Sequence, residues 1–256
     1  MLPAPDAVPA DPGRIRLHLF AHAGAGAAVY RRWPDQVGPA AQAVALPLPG
    51  REGRRREQRL TDRAALVADL LPAVLETARA GPYALYGHSL GALVAYTLTR
   101  AVAACRAPAP LFLAVGACLP PHAPAPLSGA ADLPDEHLLP LLEQLGPLPR
   151  GSAAGPGGLW RRSVLPVLRD DLRLADALRA AAADPACGGP VDVPVLVFAG
   201  SHDPMAPPRE LEGWRRWSTA PVTVRTVTGG HFFAAGPDLP ALLARACHAH
   251  AAAPPR

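Results

Sequence analysis

Apolar residues along this chain alternate between short continuous runs and longer stretches in which they recur every third or fourth position. The runs at 15–20, 43–46, 83–86, 111–115, 193–199 and 222–227 read as strands. The spacing at 60–79, with Thr61 as its cap, at 92–104 and at 239–252 is helical. Strands apolar on both faces belong in a parallel sheet covered by helices, so the repeated alternation predicts an α/β fold with a mostly parallel central sheet flanked by helices. Between 120 and 190 the alternation stops. There 135–145 and 159–183 are helical, joined by a Gly- and Pro-rich stretch at 146–158, with no strand between them. An insertion at this point is placed to form a helical lid over the carboxyl ends of the strands, although the same helices could equally be packing elements. Residues 1–13, rich in Ala and Pro, read as a flexible N-terminal segment. Residues 14–256 read as one domain, with the lid insertion at about 120–190.

Composition changes this picture little. A length of 256 residues suits one α/β domain with a substantial core, and the 33 prolines and 23 glycines would suggest disorder only if the apolar periodicity failed to recur between them. All 25 basic residues are arginine and the net charge is +4, but no basic stripe interleaves with aromatics, which argues against nucleic acid as a partner. The absence of a cationic, apolar leader and of a membrane-length apolar run predicts a cytoplasmic protein. Cys105, Cys118, Cys187 and Cys247 form no C-x-x-C pair, so buried thiols are expected rather than a metal or redox site.

The candidate chemistry begins at Gly87-His88-Ser89-Leu90-Gly91. A serine on a tight strand-to-helix turn has a strained backbone, and glycines two positions to either side remove the Cβ atoms that would collide there. This G-x-S-x-G pattern is the nucleophile elbow of α/β-hydrolases, and a chain of this composition meets it by chance only about 0.05 times. A serine hydroxyl needs a histidine to take its proton and a carboxylate to orient that histidine. Asp203 follows the strand run ending at 199 and His231 the run ending at 227, giving the order Ser, Asp, His expected of this fold. Asp192 precedes its strand and reads as a turn residue, and His202 lies on the wrong element to be the base. His88 is expected to pack beside the elbow, and His18, His122, His137, His248 and His250 have no catalytic context. The oxyanion of a tetrahedral intermediate needs two N–H donors. Leu90, following the nucleophile, supplies one. The loop His22-Ala23-Gly24-Ala25-Gly26 after the first strand supplies the other, with Ala23 as the donor and His22 and Gly24 as support. A phosphate-cradling role for this loop is disfavoured, because it lacks the Walker lysine and the G-x-G-x-x-G spacing.

Four segments make the chain resemble the type II thioesterases that accompany polyketide synthases and nonribosomal peptide synthetases. They are Leu19-Phe20-Ala21-His22-Ala23-Gly24, Leu48-Pro49-Gly50-Arg51-Glu52 with Arg54, Tyr86-Gly87-His88-Ser89-Leu90-Gly91-Ala92, and Gly200 to Asp203 with Gly229 to Phe233. The lid segment Leu168-Arg169-Asp170-Asp171 extends the resemblance over nearly the whole chain. The resemblance implies that Ser89 attacks an acyl thioester carried on phosphopantetheine, that Ala23 and Leu90 hold the oxyanion, and that His231, oriented by Asp203, protonates the departing thiolate. It implies acyl or peptidyl carrier proteins as partners, with no metal and no soluble cofactor; a monomer is expected. Two departures stand out. The loop reads His-Ala-Gly-Ala-Gly-Ala where the family has His-Ala-Gly-Gly-Ser-Ala, and the lid lacks the tyrosine usual after Leu-Arg-Asp-Asp. Arg51, Arg54, Arg55 and Arg56 form the densest basic run, which reads first as a solvated, codon-biased loop, part of which could also steer docking of an acidic carrier. A carboxylesterase or acyltransferase of the same fold, and a non-catalytic carrier-binding protein, are the alternative functions.

Overall fold

In a computed structural model, residues 14–143 and 158–251 can be described. The N-terminal segment 1–13 and nearly all of the 146–158 stretch lie outside these residues. Six parallel strands, β1 (Ile15–Phe20), β2 (Ala41–Ala45), β3 (Tyr83–His88), β4 (Leu113–Gly116), β5 (Val195–Gly200) and β6 (Val222–Val227), form one sheet in the order 2-1-3-4-5-6. The helices are α1 (Trp33–Val37), α2 (Arg63–Ala80), α3 (Leu90–Ala104), α4 (Asp135–Glu143), α5 (Leu159–Ser163), α6 (Leu165–Ala183), α7 (Pro208–Leu211) and α8 (Asp238–Ala251). Strands β3, β4 and β5 run further toward their carboxyl ends than the apolar runs imply. Gly87, His88 and Gly200 have weak strand preference, yet Gly87 pairs with Phe20 and Gly200 with Val227.

Side chains alternate across the sheet into two cores. Leu85, Leu113, Val115, Val195 and Val197 face α2 and α3, while Tyr86, Phe112, Ala114 and Phe198 face α1 and α8 through Trp33, Val37, Leu239 and Leu243. Both faces of the sheet are covered, which is why the central runs are continuously apolar. Helix α2 is capped by Asp62 and not by Thr61: Asp62 Oδ1 accepts the Ala65 N–H at 2.9 Å, the contact expected of an N-cap. The helix expected over 159–183 is broken at Val164, because Pro166, which lacks an N–H and would clash with the preceding turn in a helix interior, fits only near a helix start.

The insertion between β4 and β5 contains helices α4, α5 and α6. Helix α6, 19 residues and about 28 Å long, has two halves. Leu165, Leu168 and Leu172 join Leu138 and Leu142 of α4 in a small cluster of their own. Leu174, Leu178 and Ala182 instead enter the main core with α3. One helix therefore packs on α4 with its first half and returns the chain over the main core with its second. Among the described residues, no helix is long and apolar enough to cross a membrane.

Candidate active site

The strand order reverses between β1 and β3, the point at which open parallel sheets leave a crevice at their carboxyl ends. The loops after these two strands are the His22–Gly26 loop and the serine turn. Ser89 has φ 55° and ψ −117°, a conformation costly for a residue with a side chain, and its N–H is held by the Gly116 carbonyl at 2.8 Å. The flanking glycines are dictated by space. A Cβ on Gly87 would lie 1.8 Å from the Gly91 oxygen, and one on Gly91 would lie 2.0 Å from the Phe20 oxygen.

His231 Nε2 lies 3.2 Å from Ser89 Oγ. Its Nδ1 faces both oxygens of Asp203, at 3.0 and 3.1 Å. Carboxylates do not donate, so Nδ1 carries a proton toward Asp203 and leaves Nε2 free to accept from the serine. Asp203 is itself fixed by the N–H groups of Met205 and Ala206, at 2.9 and 3.3 Å. Both Asp203 and His231 are buried, while Ser89 is partly open. The three residues come from the ends of β3, β5 and β6.

His88 packs beside the elbow, as expected, and it also braces His231. Its Nε2 lies 2.7 Å from the His231 carbonyl oxygen and its Nδ1 lies 2.7 Å from the Tyr86 hydroxyl. A carbonyl can only accept, so Nε2 carries the proton and Nδ1 accepts from Tyr86. Burial holds the His88 pKa well below the usual histidine value, which keeps this neutral tautomer. His22 lies between His88 and Phe232, with ring centroids 6.0 and 5.0 Å away; burial, reinforced by the neighbouring His231, lowers its pKa to about 4.

Ala23 and Leu90 both line the cavity that opens on Ser89, and among the described residues neither N–H has a protein acceptor. The next N–H in the loop is taken: Gly24 donates to Asp171 Oδ2 at 2.7 Å. Asp171, only 1% exposed, is also gripped by Arg51, with Nη2 to Oδ1 at 2.6 Å and Nη1 to Oδ2 at 3.0 Å. Arg51 Nη1 further donates to the Ala25 carbonyl at 2.7 Å, and Glu52 accepts the N–H groups of Ala27 and Ala28, both at 2.9 Å. The Pro-Gly-Arg-Glu segment and the lid's Leu-Arg-Asp-Asp thus hold the His22 loop in a frame. These residues carry the resemblance in the sequence, where nothing assigns Asp171 or Glu52 a physical role. The available signal was an aspartate on the apolar stripe of α6, three residues after Leu168 and next to Leu172.

The basic run divides. Arg51 is committed to Asp171. Arg54 pairs with Asp69 at 2.5 and 2.8 Å and with Glu57 at 2.5 Å, which removes both from the open surface. Arg55 and Arg56 are exposed. Of the thiols expected to be buried, Cys118 and Cys247 are, whereas Cys105 is exposed at the end of α3 and Cys187 is half-buried in the loop before β5, where no core covers them.

The cavity has a volume of about 710 Å³. Leu93, Leu127, Leu142, Leu168 and Leu172 give it an apolar interior under the lid, and the exposed side chains of Val29 and Phe232 stand at its rim. An apolar chamber beside an aligned serine, histidine and carboxylate has the groups that acyl transfer from a hydrophobic chain requires.

Residues 15–250 match the Thioesterase domain family. Thioesterase PikA5 of Streptomyces venezuelae is 32% identical over 227 residues, which span 88% of this chain and 77% of that protein. The RedJ thioesterase from the prodiginine biosynthetic pathway in Streptomyces coelicolor has the same fold, with a TM-score of 0.79 at 32% identity, covering 95% of this chain and 91% of its own. The type II thioesterase BorB from the borrelidin biosynthetic cluster gives a TM-score of 0.70 at 30% identity, over 88% of this chain and 86% of its own.

Proposed function

This chain belongs to the thioesterase domain family, and from that premise we propose that it hydrolyses acyl thioesters on the phosphopantetheine arms of carrier proteins in polyketide or nonribosomal peptide synthesis. The observation that carries this reading is the Ser89–His231–Asp203 alignment, at 3.2 and 3.0 Å, facing an apolar chamber. Ser89 Oγ attacks the thioester carbonyl as His231 Nε2 takes its proton, and the N–H groups of Ala23 and Leu90 hold the oxyanion. Collapse of the intermediate breaks the C–S bond, and His231 returns the proton to the thiolate, which leaves as the free thiol. Water, deprotonated by His231, then attacks the acyl-serine ester and releases the acid, while Ser89 recovers its proton. Asp203 remains ionised throughout and stabilises the imidazolium. The balanced steps call for neither a metal nor a soluble cofactor. Arg55 and Arg56 attract the acidic carrier, so reversing both charges is expected to raise KM several-fold for an acyl-carrier at low salt, but not for a small acyl thioester. Equal effects on both substrates would remove these arginines from docking.

The deciding experiment is mass spectrometry of acyl-phosphopantetheinyl carrier protein incubated with wild type or Ser89→Ala, alongside oxygen esters. Loss of the acyl mass and release of free acid with wild type alone, faster than ester cleavage, is the expected result, with Ser89→Ala slower by several orders of magnitude. Ester cleavage with an untouched acyl-carrier would replace this reading with a general esterase.

A further inference from the structure

The buried Asp171 takes no part in the steps above, yet it holds the loop that they depend on. Upstream, the loop starts from a fixed point: Phe20 pairs with Gly87 in the sheet, and its carbonyl accepts the Tyr30 hydroxyl at 2.9 Å. Downstream, Asp171 fixes the Gly24 N–H and Arg51 fixes the Ala25 carbonyl. Only Ala21, His22 and Ala23 lie between these anchors. The Ala23 N–H shares a planar peptide with the His22 carbonyl, which accepts the Ala25 N–H at 3.1 Å, so the Asp171 and Arg51 contacts to Gly24 and Ala25 hold the turn that aims it. Gly24 adopts φ +77°, a conformation that other residues rarely reach, and a Cβ at this position would meet Leu168 and Val164 at 3.6 and 3.7 Å. Helix α6 and the loop touch through the Gly24–Asp171 hydrogen bond, with the buried Arg51–Asp171 pair beside it.

We propose that Asp171, held by Arg51, is a positioning residue for the oxyanion donor, and that the donor is correctly aimed only while α6 is seated on the His22 loop. The inference rests on Ser89 being the nucleophile and Ala23 an oxyanion donor. It concerns the developing charge, so its effect falls on the transition state and not on substrate binding.

The test uses Asp171→Ala, Asp171→Asn, the apolar pair Arg51→Met with Asp171→Leu, and Ser89→Ala. Replacing a buried ion pair by apolar residues of similar size tends to preserve stability, so the pair removes the Gly24 contact without leaving an unpaired charge. Turnover of a medium-chain acyl-pantetheine thioester is measured per serine titrated with a fluorophosphonate. Affinities are measured for an alkyl trifluoromethyl ketone, which forms an oxyanion adduct with the serine, and for the matching methyl ketone, which reports ground-state binding. Asp171→Ala and the apolar pair are expected to lower kcat about 10- to 100-fold with KM nearly unchanged, a loss somewhat below that for deleting a donor outright. They should weaken the trifluoromethyl ketone by the same factor and leave the methyl ketone unaffected. Asp171→Asn, whose carbonyl can still accept from Gly24, should recover most of kcat. An apolar pair that melts like wild type and keeps wild-type kcat and trifluoromethyl-ketone affinity overturns the inference. So does a loss confined to melting temperature and titratable serine, since that is the mark of a structural role alone. Retained activity in Ser89→Ala would overturn instead the nucleophile assignment beneath it.

Discussion

At Gly91 a single methyl group would sit 2.0 Å from the Phe20 carbonyl oxygen, a backbone atom that cannot swing aside. Gly91→Ala is therefore expected to cost more than the roughly 1–3 kcal/mol usual for overpacking, and urea denaturation with serine titration would register both the lost stability and the displaced nucleophile. A wild-type midpoint would contradict the steric account. His88 offers a milder test of the same constellation. In His88→Leu the Tyr86 hydroxyl loses a buried acceptor and the His231 carbonyl loses its donor. The expected result is a loss of about 2–3 kcal/mol in stability and about tenfold in kcat, because the base is no longer held from behind. An unchanged kcat in the folded variant would mean that the loop after β6 positions His231 unaided. The grouping of Ser89, His231 and Asp203 was legible in the sequence because each follows a strand run at a turn, where few other roles compete. The frame around it was not. Arg51 and Asp171 lie 120 positions apart, and charged residues ordinarily face solvent, so nothing local marks them as partners.

At the scale of elements, the choice of cap on α2 can be measured directly. Asp62→Ala is expected to destabilise by about 1 kcal/mol with kcat unchanged, and Thr61→Ala by far less; the reverse order in chemical denaturation would restore Thr61 as the cap. Thr61 and Asp62 are adjacent residues of the same capping class, and only the path of the backbone decides between them. The strand and helix alternation was readable because parallel strands buried on both faces leave continuous apolar runs. Strand ends such as Gly87-His88 were not, since the pairing of neighbouring strands, and not local preference, carries the ladder through them. Helices α1 and α7, of five and four residues, are too short to establish a period, and each has a proline among its first residues. Pro166, by contrast, was a visible break signal within the 159–183 stretch.

The molecule as a whole carries an acid sensitivity. Burial lowers the pKa of His18 to about 3 and of His22 to about 4, and holds His88 well below its usual value. The unfolded chain takes up these protons near pH 6.5, while the folded chain resists until about pH 4 or lower, so the unfolded state binds more protons in between. Stability is then fully present above about pH 6.5 and falls as the pH drops toward 4. Melting temperatures at about pH 7.5 and about pH 5 should show the decline, with a shallower slope in His18→Leu; a flat profile in wild type would exclude these histidines as its source. The double duty of α6 bears on how a substrate gets in. Lifting the helix away would strip Leu174, Leu178 and Ala182 from the main core, whereas parting α4 from it opens only the small cluster around Leu138 and Leu142. Any parting of the roof is therefore expected between α4 and α6 before α6 itself lifts. Amide exchange should be fast in α4 and as slow in the anchored half of α6 as in α3; equal protection of α4 and α6 would mean that the roof is one rigid piece.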